Sequence, residues 1–225
     1  MTIGQRRGMD EEKRWVAEGY ERAAERHAEW AAHVRVAERA EYTERVADAF
    51  PAGASVLELG CGAGGPTTQR LASRYRLVAV DLAWRNLELA RLHAPSAAFV
   101  QADMGELAFR PASFDAVAAF YSIIHLPRAQ HGALLASVAE WLKPGGLFVA
   151  SFGTRDAERS IDDDWLGVRM FSSSHPPDTT LHLVADAGLR TLDARVRTED
   201  EDGRPISFLW VVAERETLAR SAGVS

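Results

Sequence analysis

The residues whose types and spacing imply chemistry begin at Glu58, inside the run Val56-Leu57-Glu58-Leu59-Gly60-Cys61-Gly62-Ala63-Gly64-Gly65, followed by Pro66, Thr67 and Thr68. Apolar residues flank one carboxylate, and then the side chains all but vanish. A short buried strand running into a glycine-rich turn that opens a helix produces this change, because Gly60, Gly62 and Gly64 let backbone N–H groups approach a ligand. Gly60, Gly62 and Gly65 also satisfy the Gly-x-Gly-x-x-Gly spacing of a dinucleotide site. Glu58 separates the two readings, since a carboxylate at the strand's C-terminal end repels a pyrophosphate and attracts an ammonium or sulfonium group. S-adenosylmethionine carries both cations, whereas NAD has the wrong sign there. The competing account of Glu58 is an ion pair with a basic residue of a neighbouring helix.

A second carboxylate stands at Asp81, 17 residues past Gly64, close to the spacing at which an acid accepts both ribose hydroxyls. It could equally cap the helix that starts near Trp84. Leu82 and Trp84 are placed to cover an adenine. His125 follows a fourth strand by a few residues and titrates near neutral pH, which makes it the first candidate base, against the alternative of a capped or core histidine. His175 is the second candidate, reachable only if the segment 153–176 folds over the pocket. His131 and His182 read as surface residues of helices, and His27, His33 and His93 show no ligand spacing. No metal site is expected.

The elements that must hold these residues follow from periodicity. Residues 10–50 are rich in Ala, Glu and Arg with apolar positions at helical spacing, giving two helices. Strands are expected at Ser55–Leu59, Leu77–Val80, Ala97–Val100, Asp115–Phe120 and Leu147–Phe152. Helices fall between them at Pro66–Arg74, from Trp84, and from Pro127 to Trp141. This alternation implies parallel crossovers, with chemistry at the C-terminal ends of the strands. Residues 153–176 break the pattern with Asp162-Asp163-Asp164, Trp165, Phe171 and a triple serine, and read as an irregular loop, either a substrate lid or a solvated surface loop. A helix Pro177–Ala187 closed by Gly188 and two strands, Arg190–Thr198 and Ile206–Ala213, complete the chain as a hairpin.

From about Tyr20 to Glu214 the sequence resembles the class I S-adenosylmethionine-dependent methyltransferases of the small-molecule type. Glu58-Leu59-Gly60-Cys61-Gly62-Ala63-Gly64 is similar to the family's first motif and Val80-Asp81 to its acidic second. Gln101-Ala102-Asp103-Met104, Phe114-Asp115-Ala116-Val117 and Leu142-Lys143-Pro144-Gly145-Gly146 look like the later ones. The resemblance implies an α/β, Rossmann-like fold whose seven-stranded, mostly parallel sheet ends in an antiparallel hairpin, under an N-terminal helical lid. It divides the chain into a lid at 1–50, a cofactor-binding core at 51–215 with a substrate-lid insertion at 153–176, and a flexible tail at 216–225.

Residue by residue, the resemblance assigns Asp103 to the adenine amino group and the backbone of Met104 to a ring nitrogen. Gly19 to His27 is similar to a segment that closes over the methyl donor, which singles out Tyr20 against the plain reading of a helix-face tyrosine. His27 departs from the pattern, which more often has a second tyrosine. The implied cofactor set is Tyr20, Glu58, Gly60, Cys61, Gly62 and Gly64, continued by Thr67, Asp81, Leu82, Asp103, Met104 and Phe120. The acceptor set is Tyr20, Tyr121, His125, Trp165, Phe171 and His175, with His125, Tyr20, Tyr121 and His175 as catalytic candidates.

Composition fits a one-domain soluble enzyme: 225 residues, 47% hydrophobic and 26% charged. The formal net charge of −6 argues against nucleic acid, and no apolar run could span a bilayer. With a polar start at Met1–Asp10, these features lead to an expected cytoplasmic protein with no membrane partner, as monomer or homodimer. Cys61 is the one cysteine, so no intrachain disulfide or thiolate zinc site forms. Only Lys13 and Lys143 are lysines, a bias from which no function is drawn.

The expected function is in-line methyl transfer from S-adenosylmethionine to a small-molecule acceptor, leaving S-adenosylhomocysteine, in the manner of secondary metabolism. Aromatic residues with Asp162–Asp164 would suit an amine, a slight preference for nitrogen over oxygen. The rivals are a nicotinamide-dependent oxidoreductase, a protein or RNA methyltransferase, and a non-catalytic S-adenosylmethionine-binding protein.

Overall fold

A computed structural model describes residues 10–216 except Asp202. The polar start before Asp10 and nearly all of the expected tail at 216–225 lie outside the described residues.

Two helices come first, α1 (Glu11–Ala31) and α2 (Val36–Ala47), joined through Arg35, whose φ of 53° lies in the left-handed region. Then β1 (Ser55–Leu59), α3 (Pro66–Ala72), β2 (Arg76–Asp81), α4 (Trp84–His93), β3 (Ala98–Gln101) and β4 (Phe114–Ala119) alternate as expected. α5 (His131–Trp141) leads into β5 (Leu142–Gly153). That strand starts earlier than the sequence suggests, because Lys143–Gly146 forms a bulge in the β4–β5 ladder, where Phe114 faces Leu142 but Ala116 faces Leu147.

The segment read as an irregular loop is a β-hairpin, β6 (Ala157–Trp165) and β7 (Val168–Ser174), forming a separate two-stranded sheet. Leu166 and Gly167 make its two-residue turn with φ of 50° and 78°, the left-handed pair a tight hairpin needs. Leucine at the first of these positions, polar residues along β6 and two register shifts hide the strand period. α6 (Pro177–Asp186), β8 (Leu189–Glu201) and β9 (Arg204–Arg215) complete the fold.

The main sheet has the order β3-β2-β1-β4-β5-β9-β8, parallel from β3 to β5, with β9 antiparallel to both its neighbours. Successive side chains of each strand bury on opposite faces. Leu57, Leu59, Val117 and Phe148 pack with α5 on one face, while Val56, Leu77, Ala116 and Val149 pack with α2 and α4 on the other. Tyr42 of α2 stacks on Trp210 of β9, with centroids 4.0 Å apart, and fixes the helical layer to the far half of the sheet. A third cluster joins Val16 and Ala23 of α1 to Val168, Met170 and Phe171 of β7. Thus α1 and the β6–β7 hairpin form one roof. It covers the crevice where the chain reverses direction between β1 and β4, the place where open parallel sheets bind ligands.

Among the described residues no helix is long and apolar enough to cross a membrane.

Candidate active site

A cavity of about 670 Å³ opens at that crevice, between the ends of β1, β2 and β4 and the roof. Its floor is the glycine turn, but the glycines serve different ends. Gly60 N–H and Cys61 N–H both donate to the Val80 carbonyl, at 2.8 and 3.0 Å. Gly60, with a φ of 77°, passes so close to Ser122 that a Cβ would lie 2.3 Å from the serine Cβ. Gly64 does not line the cavity: its absent Cβ makes room for Ala90 of α4. Gly62 lies beneath His27, whose Cε1 a Cβ would meet at an unstrained 3.7 Å, and its N–H donates to Asp81 Oδ2 at 2.8 Å. All three of these glycine N–H groups are engaged within the protein, Gly64 N–H donating to the Cys61 carbonyl at 3.2 Å. Their N–H groups brace the turn, and lack of side chains permits close packing.

Glu58 ends up with one oxygen served and one stranded. Thr68 Oγ1 donates to Oε1 at 3.1 Å, while Oε2 is buried with no partner. Burial raises its pKa to about 7, with a further push from Asp81. No basic side chain pairs with it among the described residues, so a cationic ligand is the natural complement. Asp81 is also buried at the cavity edge, and burial again raises its pKa. Its Oδ1 accepts from Ala83 N–H at 2.9 Å and Asn86 Nδ2 at 3.1 Å, so it ties the start of α4 to the glycine turn while lining the cavity. This donor set fits S-adenosylmethionine: two carboxylates, one lacking any partner for an oxygen, and an apolar slot at Leu82 and Met104.

Asp103 caps a 3-10 turn through Gly105 N–H at 2.8 Å and binds Lys13 Nζ of α1 at 2.6 Å, the lysine being only 4% exposed. The roof is thereby anchored on the loop expected to read adenine. Trp84 is not part of the cavity, because its ring carries Arg91 on the outside at 4.6 Å.

The opposite wall is aromatic. Tyr20 lies edge-on to His27, His125 and Trp165, at 5.0, 5.3 and 5.4 Å between centroids. Tyr20 Oη and His125 Nε2 are 2.9 Å apart, and His125 Nδ1 is 2.7 Å from the Phe171 carbonyl. Desolvation lowers the pKa of His125 and of His27 to about 4, so both rings are neutral at pH 7. Burial likewise pushes the Tyr20 phenol far above its ordinary value.

Tyr121, Cys61, Thr67 and Phe120 also line the cavity. Tyr121 donates to Glu38 Oε1 at 2.5 Å, which turns its hydroxyl away from any acceptor. The Phe171 side chain is absorbed in the roof cluster, and only its carbonyl serves the site. His175 is not in the cavity at all: it packs on His131 at 5.5 Å, with Nε2 3.3 Å from the Arg128 carbonyl. His131, expected on the surface, is buried beneath it. Of the acidic run only Asp162 reaches the cavity, while Asp163 pairs with Arg169 at 2.9 Å and Asp164 is exposed.

Three cavity residues carry functional promise that sequence reasoning missed. Arg39 donates to the Ala31 and Val34 carbonyls at 2.7 and 3.3 Å and has no ion-pair partner among the described residues. Arg35 is buried against Glu38 and Glu201, and Lys13 against Asp103. Nothing in a helix of Ala, Glu and Arg distinguishes Arg35 or Arg39; for Lys13 the signal was its rarity.

Residues 56–146 match the profile of a methyltransferase domain family. The ubiquinone biosynthesis O-methyltransferase of Cereibacter sphaeroides (strain ATCC 17025 / ATH 2.4.3) is 28% identical over 178 residues, 73% of this chain and 70% of that one. The chain carries a methyltransferase domain and is similar to the class I S-adenosylmethionine-dependent methyltransferases. Among solved structures, this methyltransferase superposes on N-methyltransferase NodS from Bradyrhizobium japonicum WM9, a complex with S-adenosylhomocysteine. The TM-score is 0.67 and the identity 18%, over 88% of this chain and 97% of that one. An S-adenosylmethionine-dependent methyltransferase from Mesorhizobium loti gives a TM-score of 0.67 at 20% identity, covering 80% and 99%. The methyltransferase fold was the expected one, down to the terminal hairpin beside β5.

Proposed function

We propose that this methyltransferase transfers a methyl group from S-adenosylmethionine to a small aromatic or heteroaromatic acceptor lying against Tyr20, His27, Trp30 and Trp165. The observation that carries the reading is Glu58, a buried carboxylate with one oxygen unpartnered, in the same cavity as that aromatic wall. A binding protein for the donor alone would have no use for the second wall.

When bound, S-adenosylmethionine supplies an electrophilic methyl on a positively charged sulfur. The chain does the rest by alignment and exclusion of water. Glu58 attracts the cationic end, Asp81 accepts from the ribose hydroxyls, and Asp103 with Met104 borders the adenine. Arg39, a cavity cation without a carboxylate partner, complements the donor's own carboxylate. The roof shuts these contacts off from solvent and leaves Tyr20 between the donor half and the acceptor half.

The structure gives nitrogen no advantage over oxygen, for two of the three aspartates on which that preference rested do not reach the cavity. The relatives divide the same way, one named for O-methylation and one for N-methylation. Calorimetric titration with S-adenosylmethionine, S-adenosylhomocysteine and NAD tests the donor, and a screen of phenols and nitrogen heterocycles with S-adenosylmethionine tests transfer. Binding of NAD alone, or donor binding with no methylated product across the screen, would count against the reading.

A further inference from the structure

Three groups in the cavity form a chain whose direction is fixed. The Phe171 carbonyl can only accept, so His125 Nδ1 carries the proton and donates to it at 2.7 Å. The ring is neutral, so Nε2 is a bare lone pair. Tyr20 Oη, 2.9 Å away, must then be the donor, and its single hydrogen is spent on His125. What Tyr20 presents to the cavity is oxygen lone pairs alone, on a residue with no second hydrogen-bond partner among those described.

Resting on the methyltransferase reading above, we infer that Tyr20, polarised by His125 and the Phe171 carbonyl, selects methyl acceptors that bring their own hydrogen, as a neutral N–H or O–H. Tertiary amines, aprotic ring nitrogens, carboxylates and preformed phenolates meet only repelling lone pairs there. Tyr20 is the group that touches the acceptor; His125 is a positioning residue that keeps the phenol hydrogen out of the cavity. The same line carries the proton away. As the donor's C–S bond breaks, with its electron pair going to sulfur, the acceptor's lone pair forms the new C–N or C–O bond. The acceptor's hydrogen passes to Tyr20 Oη while the phenol hydrogen moves to His125 Nε2, and the imidazolium later yields its proton to solvent.

The test is calorimetric titration of the protein loaded with S-adenosylhomocysteine, using matched probes: phenol against anisole, and benzimidazole against 1-methylbenzimidazole. Wild type should prefer each donor probe by about tenfold, the worth of one hydrogen bond to a desolvated partner. Tyr20→Phe should shrink the gap to within about twofold. His125→Phe, which frees the phenol hydrogen to point inward, should narrow it by improving the methylated probes. His125→Gln, whose amide oxygen still accepts from Tyr20, should keep it. A gap below twofold in wild type, a gap untouched by Tyr20→Phe, or no binding of either donor probe to the loaded protein overturns the inference. Failure to load with S-adenosylhomocysteine at all would instead overturn the methyltransferase reading beneath it.

Discussion

Gly19 of α1 lies so close to Met170 of β7 that a Cβ on the glycine would sit 2.9 Å from the methionine Cε and 3.1 Å from the Arg169 carbonyl. This contact joins the two halves of the roof. Gly19→Val should force α1 off the hairpin at a cost of about 1–3 kcal/mol, since the methionine tip can swing aside but the Arg169 carbonyl is backbone and cannot. Hydrogen exchange should quicken in α1 and β6–β7 while β1, β4 and β5 keep their protection. Unchanged exchange in α1 would show that the roof holds without this contact.

Glu58 makes donor binding depend on pH. Its pKa in the free protein, raised to about 7, must fall when a sulfonium or ammonium approaches, so binding releases a proton below neutrality. Affinity for S-adenosylmethionine should rise by up to about tenfold per pH unit as the pH climbs toward 7 and level off above it. Titrations at pH 6, 7 and 8 check this. Glu58→Gln should bind more weakly and remove that dependence.

Gly64 and Gly62 should respond differently to alanine, although both have positive φ, at 71° and 54°. At Gly64 the new Cβ would stand 2.6 Å from Ala90 Cα, so Gly64→Ala should cost about 2–4 kcal/mol in urea unfolding, combining backbone strain and overpacking. At Gly62 the nearest atom is His27 Cε1 at 3.7 Å, and the strain alone, about 1 kcal/mol, is expected. Its larger effect should be on donor affinity.

Three histidines set the acid limit of stability. Burial lowers His27, His125 and His131 from 6.5 to about 4, so between those values the unfolded chain binds more protons than the folded one. Stability contributed by the neutral rings is full above 6.5 and is lost as pH falls toward 4. Glu58, raised from 4.5 to about 7, acts oppositely across 4.5–7, and its single proton offsets only part of the histidine effect. Urea midpoints should therefore fall between pH 6.5 and 4.5, and His131→Gln should flatten that slope relative to wild type.

The alternating strands and helices were legible because they rest on local signals, apolar runs and glycines at strand ends, and the terminal hairpin beside a parallel sheet came with the resemblance. Of the acceptor half, Tyr20, Tyr121, His125 and Trp165 were named and do line the cavity, but the way they meet was not legible. Its walls depend on how α1 meets a hairpin whose turn uses Leu166 rather than asparagine or aspartate, and no spacing in the chain brings Tyr20 to His125 across 105 residues. Gly64 was misread for a related reason, since a glycine needed by a neighbouring helix and one needed by a ligand look identical in sequence. Each of the only two lysines turned out to hold a motif aspartate, Lys13 at Asp103 and Lys143 at Asp115, the latter at 2.7 Å.

The roof cluster shares no buried residue with the two clusters flanking the sheet. Its two pieces enter the chain before β1 and between β5 and α6, where the parallel core does not need them. The enzyme is thereby divisible in evolution: a lineage can redraw the acceptor wall by altering α1 or the hairpin while the machinery that grips the donor stays as it was. New substrates can be reached without rebuilding the part that makes methylation possible.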